Sequence, residues 1–302
     1  MKPRILITGG SGLLAQNWAQ TAKINYEVIL CKHNREINNK NFKIKLLNLD
    51  SVIEIKRYLE KIRPDFVVHT AGLADVEKCE LEPNLAFYLN VQLAKNISIA
   101  CSEIEIPLIH ISTDHLFDGN TSFVEEDTLV SPINVYAKTK GEAEFQVLKQ
   151  YPKALVIRTN FYGWGTSYKK SFSDFVIYSL REKKNITLFC DVFYTPILIE
   201  KLVLISHELI KANASGIFNI VGDDRVSKYD FGLIVAKKFD LDPSLIYKSQ
   251  IYKKTNFVKR PLDMSLSNKK VSEFLDKKMG GLEEHLFILK EQEHLLNLES
   301  LI

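Results

Sequence analysis

Short apolar runs alternate with longer amphipathic segments along this chain. Each run has the length and continuous apolar character of a strand buried on both faces, and each amphipathic segment is long enough for a helix. Strands that alternate with helices predict an α/β fold with a doubly wound parallel sheet. The predicted strands span residues 4–8, 26–30, 42–49, 66–70, 107–111, 154–159 and 216–221. The main predicted helices are one after the first strand, one beginning near residue 131, and those over 50–62, 83–102, 171–183, 199–211 and 282–298.

The first strand leads directly into a glycine-rich turn that precedes a helix. Its glycines are spaced one residue more tightly than GxGxxG between the last two. Glycines allow backbone N–H groups to approach a pyrophosphate, and the helix amino terminus that follows adds partial positive charge. Strand, turn and helix in this order predict the dinucleotide site of a Rossmann-type fold. Its residues are Gly9, Gly10, Ser11, Gly12, Leu13 and Leu14.

A candidate acid/base pair lies on the helix predicted to begin near residue 131. Tyr136 and Lys140 are one turn apart on the same face. A phenol alone titrates near ~10, and an adjacent ammonium favours the phenolate, so we expect Lys140 to lower the pKa of Tyr136. The strand over 107–111 ends in Ser112 and Thr113, whose hydroxyls would face the same sheet edge as the glycine turn. Each feature alone is common, and their presence in one chain favours a catalytic site.

Three segments together resemble the extended short-chain dehydrogenase/reductases. They are TGGSGLLA, ISTDHLFDG and PINVYAKTKGEAE, and within that family the chain is similar to the dTDP-4-dehydrorhamnose reductase group of nucleotide-sugar 4-keto reductases. The similarity continues through residues 63–72, 82–91, 156–159, 216–222 and 260–265. It implies reduction of a C4 ketone on a nucleoside-diphosphate 6-deoxy sugar, in deoxysugar and surface-polysaccharide biosynthesis. The implied catalytic residues are Thr113, Tyr136 and Lys140, with Ser112 as a second hydroxyl.

The resemblance also implies contacts with a nicotinamide cofactor. The second strand ends in basic residues, which suit the 2′-phosphate of NADPH and leave NADH as an alternative. Asn90 resembles the helix-kinking asparagine that supports the active-site lysine through water in this family. Tyr136 and Lys140 would border the nicotinamide ribose. The further implied contacts are Lys32, His33 and Arg35 at the ribose phosphate, Asn48 and Leu49 at the adenine, and Ala71 and Gly72 over the phosphates.

The resemblance implies a substrate site on the other side of the catalytic residues. The guanidinium of Arg260 would grip the nucleotide diphosphate. A 4,6-dehydratase would need an acidic pair after Thr113, but His115 stands where the second acid would be, which argues against dehydration. Phe161 replaces a tryptophan that is common in the family. The implied substrate residues are Asp114, His115, Asn160, Phe161 and Arg260.

Composition narrows the class of protein. The 302 residues include 40 basic and 37 acidic side chains, a balance that argues against a nucleic-acid partner. Since no apolar run could span a bilayer and the amino terminus shows no signal-peptide pattern, we expect a cytoplasmic protein without a membrane partner. Cys31, Cys79, Cys101 and Cys190 form no CxxC pair and lack zinc-type spacing to histidine, so we expect free thiols and no metal.

Two interleaved parts are expected. Residues 1–160 would form the dinucleotide-binding domain, with the strand over 216–221 returning to its sheet, and 161–302 the substrate-binding part. A homodimer is left open. One alternative function is a nucleotide-sugar epimerase, which uses the same Tyr and Lys but returns the hydride. The other is a non-catalytic NADP-binding regulatory subunit resembling that of methionine adenosyltransferase, with the helix over 282–298 available to a partner.

Overall fold

The structure, a computed structural model, describes residues 2–32, 36–37, 41–166, 168–253 and 258–295. Its strands are β1 (Arg4–Thr8), β2 (Glu27–Lys32), β3 (Lys43–Leu46), β4 (Phe66–His69), β5 (Leu108–Ile111), β6 (Leu155–Arg158), β7 (Phe161–Tyr162), β8 (Ile186–Phe189), β9 (Phe193–Tyr194), β10 (Ile197–Leu198), β11 (Gly216–Asn219), β12 (Val226–Ser227) and β13 (Ile246–Ser249). Its α-helices are α1 (Leu13–Ala22), α2 (Val52–Ile62), α3 (Val76–Leu81), α4 (Pro83–Phe87), α5 (Leu93–Glu103), α6 (Val135–Gln150), α7 (Phe172–Arg181), α8 (Ile199–Lys211), α9 (Lys228–Lys238), α10 (Lys269–Leu275) and α11 (Leu282–Leu295). A π-helical turn (Tyr88–Gln92) joins α4 to α5, and 3-10 turns span Pro243–Leu245 and Ile251–Lys253.

The central sheet has seven parallel strands in the order β11–β6–β5–β4–β1–β2–β3. The chain moves outward from β1 to β3 on one side and from β4 to β11 on the other. The strand order therefore reverses between β1 and β4, the place where such sheets bind ligands at their carboxyl ends. The predicted doubly wound Rossmann-type fold is confirmed. The lysines of β3 are exposed, as suits an edge strand.

Helices cover both faces of this sheet because its inner strands are apolar on both sides. In β1, Ile5 and Ile7 pack toward α1 and α8, whereas Leu6 packs toward α2 and α5, and all three are fully buried. Each side chain of this size stabilises the fold by about 1.5–3 kcal/mol on burial. Trp18 of α1 donates its indole N–H to Nε2 of His207 in α8 at 3.0 Å, which fixes two helices against each other.

A second core lies beside the carboxyl edge of the sheet. Strand β8 pairs with β13, β7 with β10, and β9 with β12, and helices α7, α9 and α11 pack around them. Phe231 and Trp164 are buried there, and the Trp164 indole donates to the carbonyl of Leu289 at 2.9 Å. Strand β11 pairs with β6, so the chain re-enters the main sheet after building part of this core. The proposed division at residue 160 stays a prediction.

Two predicted helices differ from those observed. The segment over 83–102 is not one helix, because the π-helical turn Tyr88–Gln92 interrupts it. The helix expected near residue 131 begins at Val135, since the side chain of Asn134 accepts a hydrogen bond from the N–H of Ala137 at 2.8 Å and caps it. Both differences affect residues at the candidate site.

Candidate active site

The glycine turn packs against the ends of two neighbouring strands. Gly9 has φ +67°, and a Cβ there would lie 2.8 Å from the backbone of Ala71, which follows β4. A Cβ on Gly10 would lie 2.9 Å from the carbonyl oxygen of Cys31 in β2. Helix α1 begins at Leu13 with no side-chain cap and no acidic residue in its first turn. The backbone cradle and the uncapped helix start fit a bound pyrophosphate.

The loop after β4 is tied to helix α6 by Asn90. A Cβ on Gly72 would lie 2.8 Å from Oδ1 of Asn90, and that oxygen accepts the N–H of Leu73 at 2.6 Å. The Asn90 amide donates to Oγ1 of Thr139 at 3.0 Å, next to Lys140. The π-helical turn brings Asn90 to this position, which agrees with the frequent placement of such turns at functional sites.

The predicted adenine and ribose-phosphate contacts lie at the ends of β2 and β3. Asn48 is exposed, and its Oδ1 accepts the N–H of Asp50 at 3.0 Å, while Leu49 is partly buried against α2 and α5. Lys32 ends β2, and its ammonium forms an ion pair with Glu36. His33 and Arg35 lie outside the described residues. The preference for NADPH over NADH stays a prediction.

The residues predicted to be catalytic meet at the end of β5. Thr113 is hydrogen-bonded to the phenol of Tyr136, and also lies 3.3 Å from Oδ1 of Asp114. The Ser112 hydroxyl is buried and has no hydrogen-bond partner among the described residues. The buried ammonium of Lys140 donates to the carbonyl oxygen of Ile111 at 2.6 Å. The hydroxyls of Ser112 and Thr113 follow the end of β5. The phenol of Tyr136 and the ammonium of Lys140 come from one turn of helix α6 beside them.

The expected effect of Lys140 on Tyr136 is not found. Burial raises the pKa of Tyr136 to about 12, and the hydrogen bond from Thr113 opposes this rise only in part. Burial also lowers the pKa of Lys140 to about 8. The predicted lowering of the phenol's pKa is wrong for this geometry, because burial raises that pKa and Lys140 is not among the groups that act on the phenol. At neutral pH the phenol carries its proton, which is the state that a proton donor needs.

Asp114 contacts two of the other predicted substrate residues, Asn160 and His115. It is almost fully buried, and its Oδ2 accepts the Asn160 amide at 2.5 Å. The His115 ring lies edge-on to Tyr136 with centroids 5.6 Å apart. Burial lowers the pKa of His115 despite the nearby Asp114 carboxylate, so the imidazole is neutral at physiological pH. These side chains form a polar wall beside the phenol.

The remaining predicted substrate residues, Arg260 and Phe161, differ in their contacts. Arg260 forms an ion pair with Glu77 of α3 at 2.7 Å, and both this guanidinium and Lys228 act electrostatically on His115. Phe161 belongs to β7 and is partly buried against the main core. The structure therefore places Arg260 near the site and gives Phe161 packing contacts.

Lys228 and Tyr194 both interact electrostatically with Asp114, and neither was predicted from the sequence. Nζ of Lys228 lies 3.2 Å from the centroid of the Tyr194 ring and 4.9 Å from that of Phe172. Burial lowers the pKa of Lys228 to about 8, with Asp114 opposing this shift. One sequence signal was available, because Lys228 follows the N-cap Ser227 at the start of α9, where the helix dipole disfavours a cation.

Among the described residues, no three His, Cys, Asp or Glu side chains are grouped so that they could hold a metal ion. No helix in the described part of the chain has the length and apolar character needed to cross a membrane.

The parallel sheet, its switch point and the glycine turn define a Rossmann-like nucleotide-binding protein, with hydroxyl, phenol and ammonium groups beside the switch point. The chain belongs to the RmlD substrate binding domain family, whose model matches residues 1–289.

Three relatives illustrate the range of this similarity. The probable low-salt glycan biosynthesis reductase Agl14 of Haloferax volcanii is 29% identical over 247 residues, which cover 80% of this chain and 82% of that protein. A dTDP-4-dehydrorhamnose reductase of Aggregatibacter actinomycetemcomitans is 27% identical and covers 77% and 78% of the two chains. Methionine adenosyltransferase 2 subunit beta of Xenopus laevis is 28% identical and covers 80% and 73%.

Two solved structures share the fold over almost the whole chain. A hypothetical dTDP-4-dehydrorhamnose reductase from Sulfolobus tokodaii has a TM-score of 0.80 with 28% identity and covers 98% of both chains. The dTDP-4-dehydrorhamnose reductase of Bacillus anthracis in complex with NADP has a TM-score of 0.82 with 22% identity, covering 97% of this chain and 100% of that one. The predicted resemblance to the dTDP-4-dehydrorhamnose reductase group is confirmed.

Proposed function

We propose that the protein uses NADPH to reduce the C4 ketone of a nucleoside-diphosphate 4-keto-6-deoxy sugar. The observation that carries this proposal is the hydrogen bond between Thr113 and the protonated phenol of Tyr136 at the end of β5. This pair lies at the same sheet edge as the glycine turn, where a nicotinamide and a carbonyl substrate would meet. The similarity to Agl14 and to dTDP-4-dehydrorhamnose reductases supports a sugar reductase in glycan or deoxysugar biosynthesis.

The residues present fit a dinucleotide. Gly9 and Gly10 leave the backbone open where a Cβ would collide with neighbouring strands, and α1 directs its uncapped start toward the turn. The similar Bacillus anthracis fold is known in complex with NADP. When bound, this cofactor supplies the hydride. We assign its contacts to residues 9–14 at the pyrophosphate, Lys32, His33 and Arg35 at the ribose phosphate, Asn48 and Leu49 at the adenine, Ala71 and Gly72 over the phosphates, and Tyr136 and Lys140 at the nicotinamide ribose.

The hydroxyl groups of Tyr136, Thr113 and Ser112 would supply the proton and the hydrogen bonds that the ketone oxygen needs. Tyr136 donates its phenolic proton to the oxygen of the ketone as negative charge develops there, and Thr113 hydrogen-bonds the same oxygen. Ser112 offers a second buried hydroxyl. Lys140 would hold the nicotinamide ribose, and its buried ammonium is fixed in place by the bond to the carbonyl oxygen of Ile111. Positioned acid catalysis of this kind contributes about 10²- to 10⁴-fold to the rate.

The substrate residues favour reduction over dehydration, and epimerisation is the alternative that uses the same Tyr136 and Lys140. Asp114 and Asn160 hold each other in place and would orient a sugar hydroxyl. His115 is neutral and stands where a dehydratase needs an acid. An epimerase would keep its cofactor bound and show no net oxidation. A homodimer and a cytoplasmic location stay predictions.

The direct test is oxidation of NADPH, and then of NADH, against enzymatically generated dTDP-, UDP-, GDP- and CDP-4-keto-6-deoxy sugars. Loss of the cofactor's near-ultraviolet absorbance with one sugar, together with a product reduced at C4, is the expected result. If none of the sugars causes oxidation of NADPH or NADH although NADPH binds measurably, the proposal is contradicted.

A regulatory role is the second candidate, and one comparison favours it. The methionine adenosyltransferase 2 subunit beta of Xenopus laevis is about as similar to this chain as the reductases are. Helix α11 packs on the second core yet leaves Phe287 exposed. Co-purification with a methionine adenosyltransferase catalytic subunit, combined with silence in the keto-sugar panel, would favour this role.

A further inference from the structure

Arg225, Lys228 and Arg260 lie where β12 and the start of α9 meet the loop around Arg260, and Lys228 differs from the two arginines in its partners. Arg225 pairs with Asp263 at 2.7 Å, and Arg260 pairs with Glu77 at 2.7 Å. Within the described residues, Nζ of Lys228 has no hydrogen bond and no carboxylate oxygen within 4.0 Å. Its contacts are with the faces of Tyr194 and Phe172. A cation held on aromatic rings keeps its charge available to a ligand.

The surroundings of Lys228 point to the substrate site. Asp114 interacts electrostatically with both Lys228 and Tyr194, and the Tyr194 hydroxyl is buried without a partner among the described residues. Lys228 and Arg260 both act electrostatically on His115, whose ring contacts that of Tyr136. This neighbourhood suits a hexose whose C4 oxygen meets Tyr136 and whose anomeric phosphate points toward Lys228.

We infer that Lys228 binds the diphosphate of the nucleotide-sugar substrate, next to Arg260. The inference rests on the proposed function and assigns a further specificity-determining residue to the same site. An unpaired ammonium beside a neutral imidazole is complementary to a dianionic group, and desolvation between two aromatic rings strengthens the attraction. The pyrophosphate of the cofactor is the other source of this chemistry, but that group fits the glycine turn across the sheet edge.

The test compares Lys228→Met with Lys237→Met, a matched change at an exposed lysine on the same helix. Calorimetric titration with dTDP, with UDP and separately with NADPH measures the two sites independently. We expect Lys228→Met to weaken dTDP and UDP binding by about ten- to a hundredfold, the value of one charged hydrogen bond. NADPH binding should be unchanged, and Lys237→Met should leave all three affinities unchanged. In turnover, KM for the keto-sugar should rise by more than kcat falls.

A second measurement uses the unaltered protein in case the methionine variant does not fold. Acetic anhydride modifies accessible amines, and peptide mass spectrometry reports the extent at each lysine. Saturating dTDP should protect Lys228 and leave Lys237 reactive. Equal modification of Lys228 with and without dTDP, or full dTDP affinity in a folded Lys228→Met variant, would overturn the inference.

The two proposals fail in different ways. If the unaltered protein oxidises NADPH with a keto-sugar and Lys228→Met does so with the same KM, the reductase assignment stands and the role of Lys228 is wrong. If Lys228→Met loses dTDP affinity but no keto-sugar is reduced, the diphosphate site stands and the reductase assignment is wrong.

Discussion

Lys140 directs its ammonium to the carbonyl oxygen of Ile111, 2.6 Å away, and Tyr136 takes its hydrogen bond from Thr113 instead. The two members of the YxxxK pair therefore have separate partners on β5 and the residues after it. Burial keeps the phenol protonated, and the two hydrogen bonds fix both side chains to the same strand end. It suits a site that donates a proton to a carbonyl oxygen.

Replacing Tyr136 with Phe should remove the proton donor while keeping the ring. Because positioned acid catalysis contributes about 10²- to 10⁴-fold, we expect kcat for keto-sugar reduction to fall by that factor. NADPH affinity, measured by quenching of protein fluorescence, should change little. Tyr247→Phe alters a half-exposed tyrosine on β13 and serves as the control. Unchanged turnover in Tyr136→Phe would remove Tyr136 from the mechanism.

Replacing Lys140 with Met should give a pH-dependent gain in stability. The pKa of Lys140 falls from its ordinary 10.5 to about 8 in the folded protein because the ammonium is buried. Burying this charge destabilises the folded protein, and the full cost applies below pH 8. Between these two values the unfolded chain binds more protons, and the stability of the unaltered protein rises with pH. Lys140→Met removes this cost but also loses the hydrogen bond to Ile111. The net result should be a gain in stability of roughly 2 kcal/mol at neutral pH.

Urea unfolding at several pH values measures this effect. The advantage of Lys140→Met should shrink as pH rises from about 8 toward 10.5. Lys138→Met, at an exposed position on the same helix, should show no such trend. A difference that is constant with pH would mean that the buried amine does not titrate in this range. NADPH turnover of Lys140→Met should nevertheless be lost, since stability and catalysis place opposite demands on this residue.

Gly10→Ala should weaken cofactor binding through the backbone. The added Cβ would lie 2.9 Å from the carbonyl oxygen of Cys31, so the glycine turn must shift away from β2. We expect a loss of about 1–3 kcal/mol in unfolding free energy and a clear loss of NADPH affinity. Gly141→Ala is the matched control, because its Cβ would make only ordinary contacts at 3.7 Å and it lies inside helix α6. That variant should be stabilised by about 0.5–1 kcal/mol.

Much of the fold was predictable because its signals are local. Strands β4, β5 and β6 are buried at every position, and continuous apolar runs identify such strands without further information. The glycine turn was equally clear, since it follows β1 directly. The π-helical turn was not predicted, because the segments on either side of it are too short for a shift in the apolar face to stand out in the sequence.

The site was predictable as a set of positions but not as a set of contacts. Spacing alone places Tyr136 and Lys140 on one face of α6, whereas the choice of Ile111 as the partner of Lys140 depends on how α6 packs against β5. The pairing of Arg260 with Glu77 joins residues far apart in the chain, and no local pattern encodes it. Lys228 approaches Asp114 only because β12 and α9 fold back toward the sheet edge.

Asn90 gives the last prediction, because it joins the loop after β4 to the catalytic helix. Its side chain accepts from Leu73 and donates to Thr139, whose hydroxyl in turn donates to the carbonyl oxygen of Tyr136 at 2.9 Å. Asn90→Ala leaves the partly buried Leu73 N–H unpaired, so we expect a loss of about 1–3 kcal/mol in unfolding free energy. It should also lower kcat for keto-sugar reduction, since α6 loses a bond one residue from Lys140.

A double variant that combines Asn90→Ala with Thr139→Val shows whether Asn90 acts through Thr139. If it positions the catalytic helix through Thr139, then Thr139→Val should lower kcat to a similar degree, and adding Asn90→Ala to it should lower kcat little further. The stability losses should instead accumulate, because Leu73 is affected only by the change at Asn90. Fully multiplicative effects on kcat would show that the two residues act independently, and the hydrogen-bonded chain from Asn90 to Tyr136 would then have no role in positioning the proton donor.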